Sequence, residues 1–301
     1  MKDYRSIQKP PLFKYSIRSN IVKRAEAIVR KPAIQSKPKA IAPLPKPNQQ
    51  LHLRNAVVTP RKPIKLPKKP IIVDVANKPI LSLKDIGKGK ILIIIANGPS
   101  INEIDYESLQ ILIKETNKID TLSINNPHNK LWPTKYWMFA DNTQYNRFTD
   151  IFNSYEGIII NTSAIRKRKR NQVIIKYLGG KGFSRDLTKG FYLGRSTTFA
   201  AMQVALYMNY DKIFIFGMDM TDIGGKLHYY GQNPDVSNDT RKSRFKMEAT
   251  FYDHAARNIL TAQERIRFYI CSQYNPFEFV ELFNRISTSE IIPIIKNNIS
   301  V

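Results

Sequence analysis

From residue 91 onward the apolar positions fall into two recurring patterns. Short continuous runs, rich in β-branched residues, read as strands buried on both faces. These are Ile91–Ile95, Thr121–Ile124, Tyr136–Ala140, Ile158–Ile160, Val173–Tyr177, Ile213–Phe216 and Arg267–Cys271. Stretches with apolar residues three and four apart read as helices at Tyr106–Lys114, Thr197–Met208, Thr240–Leu260 and Phe277–Phe283. Alternation of the two predicts an α/β domain over residues 91–301, Rossmann-like, with a mostly parallel sheet covered by helices on both faces.

The first ninety residues follow neither pattern. Lys-Pro recurs five times between Lys31 and Pro70, and 12 of the 18 prolines lie before residue 91. Proline at that density denies both helix and central strand. Residues 1–90 therefore read as a basic, largely extended arm. Within it, Ile17, Ile21, Val22, Ala25, Ile28 and Val29 recur at helical spacing, which predicts a short basic helix over 16–30. Composition sharpens this division. The arm holds 22 Lys or Arg against 4 acids, +18 of the chain's net +24. Such a tether is an electrostatic partner for nucleic acid or another polyanion, without sequence preference. No aromatic residue lies between Lys31 and Lys90, so a base-stacking platform is not expected there.

Other classes fall away. The longest uninterrupted apolar run, Ile91 to Ala96, is far short of the ~20 residues of a membrane-spanning helix. The opening residues carry no apolar leader segment. One cysteine, Cys271, excludes an intramolecular disulfide framework and a Cys-rich zinc site. The expected location is the cytoplasm of a bacterium, or the host cytoplasm or virion for a phage-encoded chain. No metal site is expected from the spacing of its histidines and cysteine.

In open α/β sheets ligands bind beyond the carboxyl ends of the strands. The residues that follow the predicted strands are Asn97, Gly98, Pro99 and Ser100, then Asn125 and Asn126, then Asp141, and later Gly217 and Asp219. Gly194, Ser196, Thr197 and Thr198 lead into a predicted helix. Small, amide, hydroxyl and carboxylate groups of this kind suit ribose, base and phosphate. Gly98 would let the backbone approach a ligand closely, and the helix start behind it would offer free N–H groups to an anion. Arg166, Lys167, Arg168, Lys169 and Arg170 form the densest basic run and a candidate polyanion contact.

The segment Ile91 to Tyr106, with Asn97-Gly98-Pro99-Ser100 at its centre, resembles the opening strand and nucleotide loop of bacterial family 42 sialyltransferases. The related 6-hydroxymethylpterin diphosphokinase-like family opens in the same way. A second match runs from Ser196-Thr197-Thr198 through an apolar helix to Asn209 and on to Gly217-Met218-Asp219. The resemblance spans about residues 91–285 as a chain of local matches. It implies a site for a nucleotide-activated sugar formed by Asn97, Gly98, Ser100, Asn125, Asn126, Asp141, Ser196 and Thr197. It also implies metal-independent, inverting transfer, with two tyrosines on the leaving phosphate and a histidine as general base.

The chain departs from that pattern at two places. Met220 stands where a tyrosine is expected, and Gln232 where the histidine is expected. Tyr229 and Tyr230 are then the candidates for the leaving-group phosphate, and His228 for the base. The leading expectation is a glycosyltransferase-like enzyme with no required cofactor. A diphosphokinase-like phosphoryl transferase would instead use ATP and Mg²⁺, with Asp219 and Asp222 as metal candidates. A non-catalytic nucleic-acid-binding or assembly protein is the third reading, with a homo-oligomer or larger assembly as its setting.

Overall fold

The computed structural model describes residues 80–162, 169, 171–231 and 237–299. Most of the arm, the expected helix over 16–30, Gln232 and the basic residues Arg166, Lys167, Arg168 and Arg170 lie outside the described residues.

The central element is an eight-stranded sheet in which every pairing is parallel. In chain order its strands are β1 (Ile91–Ile95), β2 (Ile119–Ile124), β3 (Tyr136–Phe139), β4 (Ile158–Thr162) and β5 (Gln172–Ile175). A two-stranded parallel excursion follows, β6 (Tyr177–Leu178) with β7 (Phe191–Tyr192). The main sheet resumes with β8 (Lys212–Phe216), β9 (Phe268–Cys271) and β10 (Asn284–Ile286). Across the sheet the order is β10-β9-β8-β1-β2-β3-β4-β5. The chain thus winds outward from β1 to β5, returns to place β8 on the free side of β1, and winds outward again. The topological switch lies between β1 and β8.

β1 shows why the sheet needs cover on both faces. All five of its residues are buried, and Leu92, Ile93 and Ile94 are fully inaccessible. Leu92 and Ile94 enter one apolar cluster, while Ile91, Ile93 and Ile95 enter another. Burial of each such side chain contributes ~1.5–3 kcal/mol, so neither face can be left open. The second cluster includes residues of α1 (Tyr106–Glu115) and α7 (Ile291–Ile299). The first includes residues of α4 (Thr197–Tyr207) and α5 (Asn238–Asn258). A third, aromatic cluster gathers Trp137 and Phe139 of β3 with Phe152. Phe152 belongs to α3 (Thr149–Ser154), which follows the short α2 (Asn142–Arg147). The four-residue α6 (Ala262–Arg265) joins α5 to β9.

α4 is the most enclosed helix, with every residue from Thr198 to Tyr207 buried. A helix apolar on all sides belongs in an interior. Its most deeply buried polar side chain, Gln203, is fully satisfied. Gln203 Oε1 accepts from Ser184 N and Tyr192 N, and its Nε2 donates to Tyr192 O and Phe199 O.

The fold begins earlier than the sequence pattern indicates. Ile80–Leu83 form a 3₁₀ turn, and Leu83 is buried in the same cluster as α4. Gly87 N donates to Met208 O (2.7 Å) and Asp85 N to Tyr207 O (3.3 Å). Residues 80–90, assigned above to the arm, therefore belong to the domain. The proline-rich composition ends at Pro79.

Candidate functional site

A crevice of about 390 Å³ opens at the carboxyl ends of β1, β2 and β8, against the switch point. Its size is that of a small-molecule site. Asn97 and Gly98 follow β1, Asn125 follows β2, Asp141 caps α2, Ser196, Thr197 and Thr198 begin α4, and Gly217 follows β8; all of them line it. Five separated chain segments thus meet where the sequence placed them.

Hydrogen bonds hold this rim together. Asn97 Nδ2 donates to Ile124 O (3.2 Å), and Thr197 Oγ1 donates to Asn125 Oδ1 (3.2 Å). Tyr252 OH donates to Ser196 Oγ (3.1 Å). Asn97 Oδ1 is buried and accepts no hydrogen bond among the described residues. A ligand N–H or O–H is a natural partner for such an acceptor. Backbone strain gathers at the same place. Asn125 (φ 56°), Arg195 (φ 63°) and Met220 (φ 50°) all occupy the left-handed region and all line the crevice. Arg and Met adopt that conformation at a cost, and strain of this sort concentrates at functional sites.

Several expected site residues have other work. Asp219 is buried behind the wall. Its Oδ2 accepts from Ser100 N (2.8 Å), and its Oδ1 accepts from Ser100 Oγ (2.5 Å) and Ser272 Oγ (2.5 Å). Burial raises its pKa above the ordinary carboxylate value against those hydrogen bonds. Asp219 is therefore a latch tying the turn after β1 and the end of β9 to the end of β8. Ser100 and the buried Pro99 belong to that latch and not to the crevice wall. Gly98 has an ordinary extended conformation. A Cβ there would lie 2.4 Å from both Asp219 Oδ2 and Gly217 O. Glycine is required by this internal contact, which corrects the expectation that the position serves ligand approach alone. Gly194 (φ 55°) leaves room for the Phe199 ring and does not line the crevice. Asn126 caps its own turn, its Oδ1 accepting from His128 N (3.0 Å).

The candidate chemistry of residues 228–230 also changes. Arg241 Nη2 and His228 Nε2 lie 3.0 Å apart. A guanidinium can only donate, so Nε2 carries the lone pair and accepts. Burial first, then the charge of Arg241, lowers the His228 pKa to about 4. This imidazole is neutral at pH 7 with its basic nitrogen engaged, which does not suit the general base expected of it. Tyr229 OH donates to His128 O (2.8 Å), away from the crevice. Tyr230 stacks on His228, with ring centroids 5.0 Å apart, and is exposed at the rim. Lys169 is folded inward. Its Nζ donates to the carbonyls of Phe152 (2.8 Å), Asn153 (2.9 Å) and Tyr155, and so closes the C-terminus of α3. A lysine held this way is not offered to a polyanion.

What sequence reasoning did not collect is the charged part of the lining. Arg147 at the end of α2, Arg195 before α4, and Arg241, Arg244 and Glu248 on α5 all line the crevice. Arg244 Nε donates to Glu248 Oε1 (2.9 Å), and its Nη2 donates to Arg195 O (2.9 Å). Arg241 meets no carboxylate within ion-pair distance among the described residues. Burial and the neighbouring Arg244 lower its pKa. Four guanidinium groups beside the amino end of a buried helix form a strongly anion-seeking wall. A signal for part of it exists in the sequence. Arg241, Arg244, Glu248 and Tyr252 lie three, four and four residues apart and so share one helix face.

The carboxylates proposed for a metal are both engaged. Asp219 holds the two serines, and Asp222 Oδ1 pairs with Lys242 Nζ (2.8 Å). Among the described residues, no group of three or more His, Cys, Asp or Glu is placed to hold a metal ion. No described helix is long and apolar enough to cross a membrane. No protein-family model, curated protein or solved structure matches the chain.

Proposed function

We propose that the crevice binds a nucleotide-activated sugar and that the protein is a sialyltransferase-like glycosyltransferase. The observation that carries this reading is the convergence of two unlike sets of side chains on the crevice at the switch point. One offers the amides and hydroxyls of Asn97, Asn125, Ser196, Thr197 and Thr198, and the other offers Arg147, Arg195, Arg241 and Arg244. The first suits a nucleoside, and the second suits its phosphate. The local resemblance at Asn97–Ser100 and Ser196–Thr198 supports the same class.

A second reading has its own observation. His228 is engaged by Arg241 and Tyr229 by the His128 carbonyl, so the expected base and one expected phenol are withdrawn from a ligand. A nucleotide-binding protein that performs no transfer would show this arrangement. Its basic arm, the proline-rich residues before Ile80, would then hold nucleic acid or another polyanion.

A thermal-shift panel of nucleotides and nucleotide sugars tests the binding. A member present at 100 times its Kd adds ~2.7 kcal/mol, or ~5–10 °C for a domain of this size. Arg241→Ala is expected to abolish most of that shift. If nothing in the panel stabilises the wild type, or the variant responds equally, the crevice is not a nucleotide site. Hydrolysis or transfer of a stabilising nucleotide sugar then separates the enzyme from the binding protein.

A further inference from the structure

Glu248 is the one carboxylate on the arginine wall, and its setting is unusual for a simple ion pair. It lies on α5, is 6% exposed, and lines the crevice. Among the described residues its only hydrogen bond comes from Arg244 Nε, on Oε1 (2.9 Å). Oε2 accepts none. A buried carboxylate held by a single donor is poorly compensated for its lost hydration. The rest of the lining is mostly cationic or neutral, Asp141 being the one other carboxylate. Arg241, Arg244 and Tyr252 face the crevice from α5, Arg195 from the approach to α4, and His228 from the segment after β8. Arg147 and Asp141 face it from α2.

A phosphate entering this space competes with Glu248 for Arg244, the carboxylate's one hydrogen-bond donor among the described residues. A phosphate oxygen that takes that donor leaves the buried carboxylate uncompensated, and like charges in a desolvated site repel. The economical outcome is that one of them is neutralised, and a nucleotide phosphodiester cannot take a proton near pH 7. Resting on the reading of the crevice as a nucleotide site, we propose that the protein takes up its phosphate together with one proton. Glu248 is the counterion of Arg244 at rest and becomes neutral when phosphate oxygens replace it. Burial already raises its pKa to about 7, against the pull of Arg244, Arg241 and Arg195. The proton is therefore available from solvent close to neutrality.

The sign follows from linkage. The complex binds more protons than the free protein, so affinity falls as pH rises through and above 7. His228, held near 4, does not titrate in this window. The experiment is calorimetric titration of the full chain with inorganic sulfate and with a cytidine monophosphate sugar, neither of which changes charge between pH 6 and 8. Titration at pH 7 in two buffers of different ionisation enthalpy counts the protons taken up.

Binding is expected to be roughly tenfold weaker at pH 8 than at pH 6, with close to half a proton or more taken up at pH 7. Glu248→Gln keeps an oxygen for Arg244 and is expected to bind independently of pH, tighter than wild type at pH 8. Wild-type binding without a pH slope or proton uptake overturns the coupling and leaves the nucleotide site standing. A slope that persists in Glu248→Gln assigns the proton elsewhere and overturns the proposal. Failure of both probes to bind at either pH overturns the nucleotide site as well. The proton count on the wild type needs no variant to fold.

Discussion

Gly98 is where a single atom decides most. The sequence marks it as a turn before a helix, and the structure shows a backbone pressed against the Asp219 carboxylate and the Gly217 carbonyl. Gly98→Ala is therefore expected to destabilise the protein by ~1–3 kcal/mol, the usual range for overpacking. The denaturation midpoint measures it. An unchanged midpoint would show that the Asp219 latch can move aside. The amides Asn97 and Asn125 were legible because they follow strands, and a parallel sheet gathers strand ends at one edge; Ser196–Thr198 were legible as the start of an apolar helix. The arginines were not. Arg147, Arg241 and Arg244 occur among solvated charges on helices, where a residue aimed at a crevice and one aimed at water look alike. Pro99, Ser100 and Asp219 failed in the opposite direction. A carboxylate after a strand reads as a ligand contact, and only the fold reveals two serines facing it.

Among the elements, long buried runs were the easiest to read, because β-branched continuity has few alternatives at strand length. β10 has only three residues, one of them Arg285, and gives no run to detect. α2 and α3 have six residues each, too few for a helical period to show. α7 begins Ile-Ile-Pro, a composition that also suits a strand edge. The basic run before β5 shows how an element can claim a charge. Lys169 closes α3 through three carbonyls, and burial lowers its pKa. Lys169→Ala is expected to lower the thermal midpoint by a few degrees, since a charge-assisted bond is worth ~1.5–3 kcal/mol. Affinity for DNA or RNA should be unchanged. A loss of polyanion affinity with an unchanged midpoint would reverse that assignment.

For the whole molecule, residues 80–90 belong with the sheet domain and not with the arm. A chain beginning at Ile80 retains Leu83 and the bonds from Asp85 and Gly87 to the end of α4. A chain beginning at Ile91 loses all of them. It is expected to be less stable by ~2–5 kcal/mol, the cost of emptying a buried leucine position. Both midpoints are accessible by denaturant titration, and equal values would place residues 80–90 outside the cooperative unit. Comparing the full chain with the one beginning at Ile80 separates the charge of the arm from the properties of the crevice. If the arm grips a polyanion, the full chain should lose ~10³–10⁵ in affinity between 50 and 200 mM salt for ~6–10 phosphate contacts. The shorter chain should bind weakly at any salt while keeping its nucleotide response. Equal DNA affinity of the two would remove the arm from that role.

The enclosure of α4 has one more consequence. Residues Thr198 to Tyr207 are buried on every side, and Gln203 is tied at both ends of its amide. The amino end of this helix cannot turn or slide to suit a visitor. α2 is short, and α5 presents its arginines from a partly exposed face. The crevice thus has a fixed jaw and an adjustable one. Redesign toward a different ligand should leave Ser196–Thr198 untouched and diversify positions 144, 147, 241 and 244, none of which is buried.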